Sequence, residues 1–241
     1  MSILSDLWGD LRALVFPPLC PVCGGPIGEG AHTVCTRCRG TIPLTRFWEE
    51  FDNPMTQRLW GLIPVVHASA FFYFIAQSGW RRLIHRFKYK SAWRLARDMG
   101  VWYGSYLAAS DLYHEVDLVV PVPLHWRKRL RRGYNQSEYL AEGIARELGI
   151  GVDRHSVRRQ RNNPSQALTS TSEGRWENVR DIFQVAHPED LAGKHILLVD
   201  DVFTTGATIV SCAEEILRCA PDARISIAVL AVSQRGLGID K

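Results

Sequence analysis

The residues best suited to chemistry are concentrated in LLVDDVFTTGAT, residues 197–208. An apolar run ends at Val199, Asp200 and Asp201 follow, and Thr204, Thr205 and Thr208 surround Gly206. The hydroxyls can donate hydrogen bonds, and Gly206 lets backbone approach a ligand closely. A helix opening here adds unpaired amide N–H groups and the positive end of its dipole. That combination is a cradle for a phosphoryl group. The GxxxxGK pattern of a Walker loop is absent.

The two acids need a different partner. Ionised carboxylates only accept hydrogen bonds, so they cannot face the phosphate. A ribose ring offers two vicinal hydroxyls on the side remote from its 5-phosphate, and a ribose 5-phosphate satisfies every group in the stretch. The carboxylates can also stabilise positive charge developing on the ribose, directly or with a bound magnesium ion. A plain helix cap needs one such residue, not two acids and three threonines. A receiver-like phosphoacceptor fits poorly, because its acids belong near the first strand and this strand is late.

A second constellation is Cys20-Pro-Val-Cys23 and, eleven residues on, Cys35-Thr-Arg-Cys38. Two CxxC hairpins can present four thiolates to one tetrahedral zinc ion. Gly24, Gly25 and Gly40 permit tight turns whose amides can point at sulfur. A redox CxxC opens a helix after a strand, and neither pair is so placed. A closed four-sulfur site leaves no open position, so this zinc is expected to fold a module and not to catalyse. His32 is expected at the surface.

A third is PVPLHWRKRLRRGYNQ (121–136), read as a basic loop after a buried strand. Pro123, Leu124, Arg129, Arg131 and Arg132 are its candidates for holding a pyrophosphate group, through cations and backbone amides. A solvated cationic face is the competing reading. Residues 158–180 form a long polar stretch whose Arg158, Arg159 and Arg161, with its hydroxyls, suit a lid closing over an anionic ligand; a mobile surface loop is the competing reading.

These residues need a frame. HASAFFYF (67–74), VDLVVPVPL (116–124), a short segment near 154–159, HILLVD (195–200) and RISIAVLAV (224–232) read as strands. Helices are expected over 77–109 (two, around KYKS), 135–148 and 206–219. Residues 41–62 read as irregular, with Trp48, Phe51 and Trp60 as anchors. Apolar strands alternating with helices predict an α/β fold, a mostly parallel sheet covered by helices on both faces. Ligands of such sheets sit at strand carboxyl ends, where Asp200 and Asp201 are. The domain expectation is 1–62 for an N-terminal helix, the tetracysteine module and a linker, and 63–241 for the main domain.

The strand ending in D-D-V-x-T-T-G-x-T resembles the signature of type I phosphoribosyltransferases. With the CxxC…CxxC head, KYK at 88–90, PVPLxxxRxxxRGYNQ and Q…RWENV, the chain from Cys20 to about Val232 resembles the ComF family. The resemblance implies binding of phosphoribosyl pyrophosphate with magnesium, a structural zinc at the four cysteines, and a lid segment to which Gln166, Arg175 and Asn178 belong. It further implies work in natural transformation: handling single-stranded DNA after uptake, with other competence proteins as partners. A genuine transferase acting on an unidentified base or amine, without a DNA role, is the alternative. Phosphate contacts are expected near 81–97, 127–132 and 154–161, with Trp80, Phe87, Tyr89, Trp93 or Trp126 as stacking candidates.

Composition agrees with a folded chain. The 241 residues are 46% apolar and 22% charged, with a net charge of +4 and a pI near 8.8. Whole-chain charge this mild does not establish nucleic-acid binding. The N-terminal stretch lacks a secretory signal's basic start, and no apolar run approaches the ~18 residues of a membrane span. The expected location is cytoplasmic, including the inner face of the membrane as a peripheral site. Residues 1–16 carry Ile3, Leu4, Leu7, Leu11, Leu14 and Val15 on one helical stripe, expected to pack on the rest of the protein.

Overall fold

The computed structural model describes residues 18–27, 33–87, 89, 92–160 and 182–239. The expected N-terminal helix, His32, Lys88, Lys90 and Ser91 of the KYKS segment, and the lid residues Arg161, Gln166 and Arg175 fall outside them.

The strands are β1 (Ala68–Tyr73), β2 (Leu118–Pro121), β3 (Gly151–Val152), β4 (Val157–Arg159), β5 (Phe183–Val185), β6 (His195–Phe203) and β7 (Arg224–Val232). The helices are α1 (Thr36–Arg39), α2 (Pro54–Trp60), α3 (Gly79–Arg86), α4 (Trp93–Ala108), α5 (Trp126–Arg132), α6 (Gln136–Leu148), α7 (Ala207–Cys219) and α8 (Gln234–Leu237). Five strands make one sheet in the order β1-β7-β6-β2-β3, with every pair parallel. β4 and β5 pair antiparallel in a separate ribbon.

Strand alternation explains the layers. On β6, Leu197 and Val199 join one apolar cluster, with α4 and α6 residues such as Met99 and Leu140. Ile196 and Leu198 point the other way, into a cluster with Ile209, Ala213 and Ile216 of α7. A strand buried on both faces must be apolar throughout, which is why these runs lack alternation. The expected sheet with helices on both faces is what the chain forms.

α4 and α6 cross at very close range because glycine lies on both sides. A Cβ on Gly100 would come 2.2 Å from the Leu140 carbonyl oxygen, and one on Gly143 would come 2.2 Å from that of Arg97. This contact fixes where α6 begins, and therefore where Ser137 sits.

Two expectations need correction. Residues 41–62 are not irregular: α2 forms there, with Pro54 in its first turn and Asn53 accepting from the amides of Met55 and Thr56. Cap and proline are both helix-start signals. Trp48 is buried, but Phe51 and Trp60 remain 53% and 43% exposed, their rings in contact at a 48° tilt with centroids 5.7 Å apart. Likewise Trp126–Arg132 is a helix, not a loop. His125 starts it by accepting from the Arg127 amide, and Gly133, at φ +84, ends it.

Candidate functional site

The parallel register brings the separated motifs together. Pro121 pairs with Val199, and the Val122 amide donates to the Val199 carbonyl at 2.8 Å. The turn after β2 is thereby held beside Asp200. Asn135 fastens it from the other side, donating to the Val122 carbonyl at 3.1 Å while capping α6 through the Ser137 amide. Tyr134 and Gln136 both donate to the Phe87 carbonyl. The RGYNQ stretch is thus a splint: Gly133 turns the chain, and its neighbours tie the end of α3 to the end of β2.

Ser137, which the sequence did not single out, completes the acid pair. Its hydroxyl donates to Asp200 Oδ1 at 2.9 Å, and the Asp201 amide donates to the same oxygen at 2.9 Å. Asp200 and Asp201 are each half-buried. Burial and the Asp201 charge push the Asp200 carboxyl up to about 7, and its hydrogen bonds and Arg159 only partly oppose this.

Two arginines act on the acids, and His125 lies near one of them. Arg159 of β4 is half-buried, with its guanidinium 5.3 Å from the Phe183 ring centre. Burial holds its pKa down and the Asp200 charge acts against that. Arg132, at the end of α5, shows the same balance with Asp201 as the nearby anion. Its Nε is buried without a hydrogen-bond partner, one of few such atoms among the described residues. His125 is 4% exposed, and burial and Arg159 lower its pKa, so its imidazole is neutral at pH 7.

The threonine-glycine segment follows β6 directly and opens α7. Asp200 and residues 202–209 line a hollow of about 30 Å³ at the start of α7. That volume suits a small group, so the rest of a larger ligand must extend along the open side towards the acids. Gly206 has φ +79, and a Cβ there would come 2.6 Å from the Phe203 ring. Both facts require glycine. α8 braces the loop: the Ser233 amide donates to the Phe203 carbonyl at 3.0 Å, and a Cβ on Gly236 would meet the Thr204 carbonyl oxygen at 2.1 Å. Ser233 and Gly236 had no signal in the sequence, because they act only across space.

The other candidates separate. Pro123 and Leu124 are half-buried in the turn after β2, and Arg132 reaches the Asp201 side. Arg129 is exposed and forms an ion pair with Glu138 at 3.3 Å, and Arg131 is exposed. The segments on either side of residues 161–181 pair as β4 and β5, and the Gln160 amide donates to the Ile182 carbonyl at 2.9 Å. Among the stacking candidates, Trp80 and Phe87 are core residues, and Trp93 is partly covered. Tyr89 and Trp126 are exposed at 58% and 59%. Arg127 lies over the Trp126 ring, 5.2 Å from its centre.

The four cysteines converge. The Sγ atoms of Cys20, Cys23, Cys35 and Cys38 all lie within 4.8 Å of one another. Cys23 and Cys35 are 3.8 Å apart, close to the ~3.8 Å edge that a tetrahedron with ~2.3 Å zinc–sulfur bonds requires. The Gly25 amide donates to Cys23 Sγ at 3.4 Å, as a thiolate ligand would favour. The four can hold a metal ion. Their module packs tightly on the main core: a Cβ on Gly79 would come 2.4 Å from the Val22 carbonyl oxygen, between the first two cysteines.

The acid pair also dictates a pH response. An ionised Asp200 accepts from a ligand hydroxyl more strongly than the protonated acid does, so, if a ribose phosphate binds here, its affinity is expected to rise as pH passes up through about 7. Its folded pKa lies above the unfolded ~3.9, so its contribution to stability is full below that value and is lost as pH rises through about 7. Titration of ligand at several pH values checks the first trend. Affinity independent of pH between 6 and 8 would contradict it.

Comparison with known proteins bears on this geometry. Residues 135–239 match the phosphoribosyl transferase domain, from RGYNQ's asparagine to beyond α8. The DNA utilization protein YhgH of Escherichia coli is 37% identical over 102 residues, 42% of this chain and 44% of that protein. The chain therefore spans less than half the length of that relative. Competence protein F of Haemophilus influenzae is 32% identical over 133 residues, 53% of this chain and 57% of that one. Competence protein ComFC of Bacillus subtilis is 26% identical over 209 residues, 86% of this chain and 75% of that one. Glutamine phosphoribosylpyrophosphate amidotransferase of B. subtilis superposes with a TM-score of 0.42 at 17% identity, covering 61% of this chain and 30% of that one. That likeness is too loose to support a reading of the site.

Proposed function

Because the chain belongs to the ComF family of phosphoribosyltransferase-like proteins, we propose that Asp200, Asp201 and the Thr204–Thr208 loop bind phosphoribosyl pyrophosphate. The carrying observation is the half-buried acid pair set beside a small hollow at a helix start. In this reading Thr204, Thr205, Thr208 and the first amides of α7 hold the 5-phosphate. Asp200 and Asp201 accept from the ribose hydroxyls. The partnerless Arg132 Nε and the turn at Pro123 and Leu124 face the pyrophosphate, with Arg129 and Arg131 farther out on the same helix. Arg161, Gln166 and Arg175 belong to the segment proposed to close over the ligand.

Magnesium, bound with the donor, would supply countercharge to the pyrophosphate, and Asp200 and Asp201 are the residues that would hold it. The chain's own contribution to any transfer is electrostatic. The acids favour positive charge developing at the anomeric carbon, and Arg132 favours negative charge on the departing pyrophosphate. Zinc at the four cysteines is proposed as a structural ion, with residues 1–62 as its module and linker and 63–241 as the ligand-binding domain. Release of pyrophosphate with candidate bases or amines tests whether turnover follows binding; a genuine transferase with no DNA role is the reading that turnover alone would favour.

The names of the relatives, competence protein and DNA utilization protein, support a role in natural transformation with other competence proteins as partners. Contact with single-stranded DNA is proposed at α5, where Arg127 lies over the exposed Trp126 ring and Arg131 is exposed on the same helix. An aromatic face amid cations suits base stacking with phosphate contacts. Trp126→Ala should weaken single-stranded DNA binding by about 1–3 kcal/mol, some 5- to 150-fold. Affinity should also fall with added salt. Fluorescence anisotropy checks both, and an unchanged affinity in the variant would remove α5 from the DNA surface.

A further inference from the structure

The described residues enclose a second cleft, much larger than the hollow at α7, that the proposed ligand does not use. It holds about 1120 Å³ between the cysteine module and α4. Its apolar walls include Ile27, Val34, Leu95, Met99 and Trp102. Leu19 also lines it and is left 54% exposed, although it is paired through backbone with Pro26. An apolar cleft of this size beside a folded core asks for an occupant.

The cleft is also electropositive. Arg39, Arg86, Arg97 and Arg146 line it. Among the described residues Asp98 is its one acidic lining residue, and that carboxylate already accepts from the Thr33 hydroxyl. A suitable occupant is therefore apolar along one face and acidic along an edge.

Residues 1–17 of this chain have that character. At helical spacing, Ile3, Leu4, Leu7, Leu11, Leu14 and Val15 fall on one stripe, with Asp6 and Asp10 together on one flank. Arg12 is the segment's only cation, and it falls on the opposite flank. The chain enters the described structure at Pro18, which itself lines the cleft. No tether has to be spanned. As a helix, 17 residues would run about 25 Å.

The geometry points to this N-terminal segment as the occupant of the cleft. Its stripe lies on Met99 and Trp102, and its acids face the arginines. The segment would then clasp the cysteine module to α4 and leave the acid pair's hollow open.

Hydroxyl-radical footprinting of the full chain tests this, read at Tyr89 and Trp102, which both line the cleft. Oxidation of both should rise several-fold in the Leu7→Asp/Leu11→Asp variant. A milder variant, Asp6→Lys/Asp10→Lys, keeps the stripe and should raise oxidation less, so the test survives if the first variant misfolds. Equal oxidation in the wild type and both variants would overturn the inference. So would protection that fades on dilution, which would assign the cleft to a second copy. Protection that appears only with anionic phospholipid vesicles would overturn it as well.

Discussion

Asp200→Asn/Asp201→Asn is expected to weaken binding of phosphoribosyl pyrophosphate by about 100-fold or more, since hydrogen bonds to charged groups contribute ~1.5–3 kcal/mol each. The amides keep the shape of the carboxylates and lose their charge. Asp200 is held by Ser137 Oγ and by the Asp201 amide, so its position does not depend on a ligand. The free variant should be more stable than wild type near neutral pH, by at least ~1 kcal/mol, the equivalent of one pKa unit. The acids cost stability as they stand, because burial and mutual repulsion raise the Asp200 pKa, and the proposed binding role is what that cost would serve. Single-stranded DNA affinity should stay level or rise as negative charge is removed. Calorimetric titration and thermal melts read all three quantities. Loss of both ligands together would mean that the substitutions damage the fold.

The second large effect concerns the cysteines. Removing metal with a chelator, or making Cys20→Ser or Cys38→Ser, should lower the melting temperature on the order of 10 °C, because metal binding at such a site is folding free energy. Cys20 and Cys38 are buried, at 0% and 6% exposure, in the same apolar cluster as Trp80 and Leu83 of α3. Loss of the ion should therefore be felt beyond the hairpins. The Val22 carbonyl rests on Gly79, so the first CxxC turn and the start of α3 move as one. Metal analysis before and after chelation, with melts of both samples, is the check. Full metal loss without a change in melting would show that the four sulfurs do not support the fold.

Much of this arrangement is legible in the sequence. β6 and β7 are apolar without alternation because helices cover both sides, and that places Asp200 towards a strand's carboxyl end, although β6 runs on past the expected end at Asp200 to Phe203. The CxxC spacing predicts convergence because two short turns suffice. What escaped was tertiary. Ser137 looks like any first-turn serine, and only the close crossing of α4 and α6 sets it under Asp200. Gly236 has meaning only against the Thr204 carbonyl. α2 was missed despite a readable Asn-Pro start, since its seven residues show too few turns for periodicity. The cations of 127–132 drew attention away from His125, whose side chain caps the helix that carries them.

The central claim is that the acids hold a pentose diol while the start of α7 holds its phosphate. Calorimetric titration with ribose 5-phosphate and with 2-deoxyribose 5-phosphate tests it most directly. The account predicts that the deoxy sugar binds at least about tenfold more weakly, because one hydroxyl no longer reaches a carboxylate. It also predicts that Asp200→Asn/Asp201→Asn narrows that difference. Equal affinity of the wild type for the two sugars would contradict the account.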